Sequence, residues 1–149
     1  MSLTAHLQLH QAVVAALQAA PALAGVPVYS NPVRELPAQV ASAVVVTLRR
    51  SAAQRPTLHA MDWATTLQID CMARAPSATA DAAAAVDPMV HAAWATLAAL
   101  NATALGLMDV QPDPSITWDF AEGATPHVAA TLLLNAVHRT PATHLSPWP

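Results

Sequence analysis

Residues 63–72, WATTLQIDCM, have the most regular pattern in the chain. Apolar side chains recur at every second position, and small or polar side chains fill the positions between them. A period of two is typical of a β-strand, because successive side chains point to opposite faces of the sheet. The stretch therefore predicts a strand with one buried face. Cys71, the single cysteine, lies on that face and is expected to be a buried, unreactive thiol.

A second strand is predicted just upstream, over residues 43–48, AVVVTL. This run is apolar on both parities, which suits a strand buried on two faces or one bounded by another subunit. It ends in Arg49-Arg50. Residues 51–62 then turn polar, and this composition predicts a long exposed loop between two paired strands, of the kind that makes contacts.

Two Ala-rich helices flank these strands. Thr4 is expected to cap the first, which should run to about Ala20. The second is predicted from about residue 76 to Asn101. Because a proline inside a helix costs about 3 kcal/mol, we expect a kink or a restart at Pro88.

Further short strands are predicted over residues 26–29, 105–110 and 116–120, with a turn at residues 112–114. The last strand is predicted over residues 127–138, which are rich in Val, Thr and Leu.

The elements together predict an α+β fold with a mixed, mostly antiparallel sheet and two helices packed on one face. We expect one domain over residues 1–139 and a Pro-rich extended tail over residues 140–149.

Composition narrows the function classes. Of 149 residues, 54% are apolar and only 10% charged, well below the quarter or so that typical domains carry, so self-association or a protein partner is expected to cover part of the surface. The net charge is −3 and every cation is Arg, so no nucleic-acid binding is expected. No apolar run approaches the length of a membrane span, and no signal peptide is evident, which predicts a cytoplasmic protein without membrane contact.

Candidate catalytic and metal sites are weak. His6 and His10 have the i, i+4 spacing of a helical metal site, but no third ligand can be named, so surface or partly buried histidines are the favoured interpretation. Four acidic residues cluster late in the chain and suit solvated turns as well as a cation site. They are Asp109, Asp113, Asp119 and Glu122. We therefore predict no enzyme activity, no metal and no cofactor.

The only concentration of cations is Arg49, Arg50 and Arg55, with Arg34 upstream. It is either a solvated loop or an interface, since Arg makes bidentate contacts with carboxylates across protein interfaces. Trp94 and Trp118 fit a core or a contact surface, whereas Trp148 in the Pro-rich tail is a candidate anchor on a neighbour. The predicted subunit or tube interface thus comprises Arg49, Arg50, Arg55, His59 and Trp148.

The order of these patterns resembles the tail terminator proteins of long-tailed phages, the family of the minor tail protein U of phage lambda. The resemblance covers residues 5–139. It rests on LQLHQAVVAALQAAPALAG leading into VPVYSNPV, on SAVVVTLRR, on WATTLQIDCMARA before the second Ala-rich helix, and on the closing HVAATLLLNAVHR.

The resemblance implies a mixed α/β protein that is monomeric or weakly associating when free and forms a hexameric ring on the end of a tail tube. Such a ring stops tube polymerisation and offers the surface to which the head attaches. Its partners would be the tail tube protein, a head-completion or connector protein, and itself. By position, residues 49–62 would make ring or tube contacts. The protein would act in the bacterial cytoplasm during assembly and in the neck of the virion.

Two alternatives remain open at the level of sequence. A head–tail joining or connector protein would share the size, sheet and ring symmetry. A small ligand-binding α+β domain would instead use the open face of the sheet as a pocket.

Overall fold

The computed structural model describes residues 2–32, 39–74, 81–121 and 127–149. A short 3₁₀ turn at Pro21–Leu23 accompanies two helices and five strands. The elements are α1 (Ala5–Ala19), β1 (Val28–Ser30), β2 (Ser42–Pro56), β3 (Ala60–Arg74), α2 (Ala82–Ala98), β4 (Asp109–Ala121) and β5 (His127–Pro141).

The five strands form one sheet in the order β1-β2-β3-β5-β4. β1 pairs parallel with β2, and the other three pairings are antiparallel. Both helices contribute to a single apolar core with one face of β2, β3 and β5. The predicted α+β fold is therefore confirmed.

The centre of the sheet follows the predicted alternation. Leu67, Ile69 and Cys71 of β3 are fully buried, as are Leu132 and Leu134 of β5. Burial, and secondarily the charge of neighbouring Asp70, raises the pKa of the Cys71 thiol to about 12, so the thiol remains protonated.

Helix α1 begins where Thr4 predicts, because the Thr4 hydroxyl accepts a hydrogen bond from the Leu7 N–H at 3.2 Å. Its buried stripe includes two histidines. Leu3 is 39% exposed, whereas His6 and His10 are buried with the apolar residues of the helix. The interpretation of the two histidines as surface or partly buried groups was therefore wrong.

Helix α2 has one start, not two. Asp81 caps it by accepting a hydrogen bond from the Ala83 N–H at 3.0 Å, and the helix runs through Pro88 without a restart. Of the two outcomes expected at Pro88, a kink or a restart, the restart does not occur. Burial of Val86, Met89 and Val90 on either side of the proline helps to offset the lost backbone hydrogen bond.

The predicted loop over residues 51–62 was also wrong. β2 continues to Pro56 and β3 begins at Ala60, so only residues 57–59 connect the two strands. Two register shifts, next to Arg49 and Gln54, keep the polar half of β2 in register with β3. Pairing with a strongly patterned neighbour thus overrides the low strand propensity of this segment.

Residues 112–114 do not form a turn but lie inside β4, at a register shift opposite β5. Pro112 and Pro114 are compatible with this position because β4 lies at an edge of the sheet. The predicted helix start near residue 76 and the positions of Arg34 and Glu122 lie outside the described residues.

The last eight residues fold back onto the domain. The Ala142 N–H donates to the His59 carbonyl at 3.1 Å, and the Leu145 carbonyl accepts from the Ala5 N–H at 2.8 Å. The tail thus connects the tip of the β2–β3 hairpin to the start of α1.

Candidate interaction surfaces

The outer edge of β2 is only partly covered. β1 pairs with Val44, Val45 and Val46, after which Asn31 bonds the backbone of Val46 and Leu48. Within the described residues, no strand pairs with this edge of β2 beyond that point. Arg49 and Arg50 of the predicted cation cluster therefore lie on a sheet edge that no other described strand covers.

Arg49 and Arg50 are both exposed on this edge. Arg50 stands opposite Thr66, and the register shift leaves Arg49 as the extra residue between two paired positions. Arg55 lies farther along β2, opposite Asp62. The structure thus places the three arginines of the predicted interface along one strand rather than in a loop.

The tip of the β2–β3 hairpin carries the fourth predicted residue, His59, which is exposed. Beside it, Leu58 is 91% exposed, the highest value among the large apolar side chains described. An exposed leucine in a tight turn contributes little to folding and is suited to contact with another molecule.

Trp148, the fifth predicted residue, packs within its own chain. Its backbone N–H donates to the Arg139 carbonyl at 3.2 Å. Its ring centroid lies 5.8 Å from the Arg139 guanidinium carbon, which is a cation–π arrangement. Because 45% of the side chain remains exposed, Trp148 can also contact a neighbour.

Arg139 is itself held by a buried carboxylate. Its Nε–H and Nη2–H donate to the two carboxylate oxygens of Asp62 at 2.6 and 3.0 Å, and this hydrogen bonding raises the pKa of Arg139. The pair is not evident from the sequence, because 77 residues separate the partners and only the pairing of β3 with β5 brings them together.

β4 is the opposite edge of the sheet and is exposed over most of its length. Ile116, Trp118 and Phe120 stand opposite the buried Leu132, Ala130 and Val128 of β5, yet each of the three is at least 38% exposed. The edge therefore presents an apolar stripe, and long exposed edges of this kind readily pair with further strands.

A shallow groove of about 360 Å³ lies between this stripe and α2. Its apolar wall comprises Val90, Trp94, Pro114, Ile116 and Trp118, and Asp87 and His91 supply polar groups. Trp94 and Trp118, which the sequence left ambiguous between core and contact surface, thus both line one groove.

A buried polar cluster joins α1 to the sheet. Ser51 Oγ lies 2.9 Å from His6 Nδ1 and 2.8 Å from Thr65 Oγ1, which in turn lies 2.8 Å from His138 Nε2. The two imidazole rings are edge-on at 4.7 Å, and the His6 ring is also edge-on to Trp63 at 5.0 Å.

This cluster holds neutral histidines. Burial, together with the nearby His6, lowers the pKa of His138 from 6.5 to about 4, and burial lowers the pKa of His6. The hydroxyl–imidazole chain can exchange protons, but its position beneath α1 makes it a structural connection between β2, β3, β5 and the helix. His10 takes no part, because its Nε2–H donates to the Val46 carbonyl at 3.0 Å.

The face of the sheet opposite the helices carries polar side chains joined by hydrogen bonds. Gln68 Nε2 and the Thr131 hydroxyl both donate to the carboxylate of Asp70, and the Thr66 hydroxyl donates to Asn135 Oδ1 at 3.1 Å. The acidic residues Asp109, Asp113 and Asp119 lie along β4. Among the described residues, no group of three or more His, Cys, Asp or Glu side chains is arranged to hold a metal ion.

No protein-family model matches the chain, and no curated protein is similar to it. Neither described helix is long and apolar enough to cross a membrane.

Proposed function

We propose that this chain is a structural phage protein of the tail terminator kind, which forms a ring on the end of the tail tube, stops tail polymerisation and provides the surface for head attachment. The observation that carries the proposal is the pair of open sheet edges, on β2 and on β4. A ring needs two different lateral surfaces on each subunit, and a sheet with two dissimilar open edges supplies them.

The order of elements gives further support. The resemblance to tail terminators rests on a helix, a strand pair, a second helix and a closing strand, and the chain has these elements in that order. The proposed partners are the tail tube protein, a head-completion or connector protein, and further copies of the chain in a hexameric ring. The protein would act in the host cytoplasm during assembly and remain at the tail neck of the virion.

The mechanism of capping requires binding energy and symmetry but no chemical step. One face of the ring matches the exposed end of the tube, while the other differs from a tube subunit and does not seed another layer. We assign tube contact to the tip of the β2–β3 hairpin, where Leu58 and His59 are exposed.

The direct test is electron microscopy of particles from a host that carries this gene, with and without its deletion. Termination predicts overlong, headless tubes on deletion and a single tail length when the gene is restored. Tails of normal length that fail to join heads would contradict termination and favour the joining or connector role.

A second test separates the hairpin tip from the rest of the surface. Complementation with Leu58→Asp should leave tails overlong, because a charge replaces the exposed apolar contact. Leu145→Asp is the matched control, since Leu145 is also exposed but lies in the tail, and it should restore normal length. Equal behaviour of the two variants would remove the hairpin tip from the tube contact.

The groove between α2 and β4 favours one function of a different class, a small ligand-binding domain. Its volume falls within the usual range for ligand pockets, and aromatic and aliphatic side chains form most of its wall. This location differs from the open sheet face, where a pocket was expected from the sequence. A thermal-shift screen with apolar probes and metabolites tests it, and a micromolar hit lost in Trp94→Ala would favour ligand binding.

A further inference from the structure

The charges of this sheet are segregated by edge. The exposed Arg49 and Arg50 lie on the open half of β2, and Arg55 follows them on the same strand. At the other edge, β4 carries Asp109, Asp113 and Asp119 and no cation. Within the described residues, none of the exposed Arg49, Arg50, Asp109 and Asp119 forms an ion pair in its own chain.

The two edges also run in opposite directions. Three successive antiparallel pairings, β2 with β3, β3 with β5 and β5 with β4, make β4 antiparallel to β2. If identical copies extend the sheet in one orientation, β4 of one copy meets β2 of the next in an antiparallel arrangement. This is the geometry of an ordinary sheet hydrogen-bond ladder.

We propose that the acidic β4 edge of one copy pairs with the basic second half of β2 of the next copy, so that each ring contact is a strand pairing between edges of opposite charge. This inference rests on the proposed function and specifies the contact that closes its ring. The occupant of the β4 edge is a second copy of this chain, and charge complementarity identifies it.

Proline positions narrow the pairing region. Pro112 and Pro114 remove backbone donors from the first part of β4, which leaves residues 115–121 able to form a continuous ladder. The open part of β2 spans residues 49–56 and also ends in a proline. Register places Asp119, beside Ala129, and Arg50, beside Thr66, on the face opposite the helices.

The spacing of the other charged residues on β4 and β2 also fits this register. When Asp119 stands opposite Arg50, antiparallel pairing also brings Asp113 close to Arg55. Asp113 lies six positions before Asp119, and Arg55 lies five positions after Arg50. On the other face of the sheet, the bulky Trp118 and its neighbours would lie beside the small side chains of β2, such as Ser51 and Ala53. Large and small residues in adjacent strands pack efficiently.

Segregation of charge also disfavours the wrong assemblies. A β4–β4 contact would place aspartates against aspartates, and a β2–β2 contact would place arginines against arginines, each of which is repulsive across a strand pair. Two-fold dimers are therefore disfavoured, and head-to-tail contacts that close by rotation are selected.

The test uses sedimentation velocity of the full chain at low ionic strength, over protein concentrations up to about 1 mM. Arg50→Glu places an acid opposite Asp119 of the next copy, and Asp119→Arg places a cation opposite Arg50 of the next copy. Each variant alone should associate at least about tenfold more weakly than the unaltered chain, because a complementary pair becomes a like-charge pair. An equimolar mixture of the two variants should regain association, since residue 50 of each variant is opposite in charge to residue 119 of the other, and the two variants can alternate around an even-numbered ring.

Matched controls separate edge charge from net charge. The double variant Gln11→Glu with Gln18→Glu changes net charge as much as Arg50→Glu, and Gln11→Arg with Gln18→Arg matches Asp119→Arg. Both glutamines are exposed and lie on α1 rather than on β2 or β4. These controls should associate like the unaltered chain, and circular dichroism of every variant checks that it is folded.

Three results would overturn the proposal: an unaltered chain that stays monomeric at every concentration, a mixture of the edge variants that stays monomeric, or controls that weaken association as much as the edge variants. Its failure is distinguishable from failure of the proposed function. Tail-length control that depends on the gene but is indifferent to Arg50→Glu rejects this contact alone, whereas charge-dependent association with normal tails on deletion rejects termination alone.

Discussion

β4 and β5 are neighbouring strands of 13 and 15 residues that pair with each other, yet they have different environments. Every second side chain of β5 is buried along its whole length, whereas β4 is mostly exposed. β5 has strands on both sides and helices above it, and β4 has a neighbour on one side only. Position in the sheet, more than the character of the side chain, therefore decides what each residue contributes to stability.

The register row that joins Leu132 to Ile116 tests this contrast most directly. Leu132→Ala should lower the free energy of unfolding by about 3 kcal/mol, because it opens a cavity in a fully buried site. Ile116→Ala should cost less than about 1 kcal/mol, because its side chain is already partly in solvent. Urea denaturation of both variants measures the difference, and equal losses would contradict the contrast.

Lowering the pH should reduce the free energy of unfolding because of His138 on the inner strand, β5. The pKa of His138 is about 4 in the folded state and 6.5 when the residue is in solvent, so the unfolded state binds more protons between these values. The free energy of unfolding should therefore fall by about 2 kcal/mol as pH drops from 6.5 to 4, and the lowered pKa of His6 adds a loss of the same sign.

Denaturation at several pH values between 7 and 4 measures this loss. His138→Gln should flatten the profile, because the amide still bonds Thr65 but does not titrate. His144→Gln, in the exposed tail, should leave the profile unchanged. A profile that stays steep in His138→Gln would assign the acid sensitivity to other groups.

The smallest effect concerns two threonines that stand opposite each other. The Thr131 hydroxyl of β5 donates to the Asp70 carboxylate, whereas Thr117 of β4 is exposed. Thr131→Val should cost about 1.5 kcal/mol, because it removes a hydrogen bond to a charged group. Thr117→Val should change stability by less than about 0.5 kcal/mol. Thermal unfolding ranks the two, and a larger loss for Thr117→Val would reverse the comparison.

Sequence patterns predicted best where the period of side chains follows directly from burial. Residues 63–72 and 127–138 lie in the strands expected, and Thr4 caps the first helix. The same reasoning failed for the loop expected over residues 51–62, and the helix does not restart at Pro88. Pairing with β3 outweighs the local preference of residues 51–56 for a loop. Packing of α2 on the sheet outweighs the local preference of Pro88 to end the helix.

The candidate surfaces were also only partly predictable from the sequence. The cation cluster at Arg49 and Arg50 and the acidic group near Asp119 are visible in the sequence, but nothing local indicates that they lie on opposite edges of one sheet. The apolar stripe of β4 resembles a core strand until its edge position is known, because Ile, Trp and Phe at alternate positions are typical of buried strands as well.

The amino-acid sequence by itself determined the α+β class, the two helices, the regular central strands and the buried thiol of Cys71, because these depend on short periods and on the solvation of individual side chains. Only the tertiary structure decided the extended β2–β3 hairpin, the Asp62–Arg139 pair, the buried His6–His138 cluster and the two oppositely charged open edges. These depend on strand order, which sets residues far apart in sequence beside one another and carries no local signal.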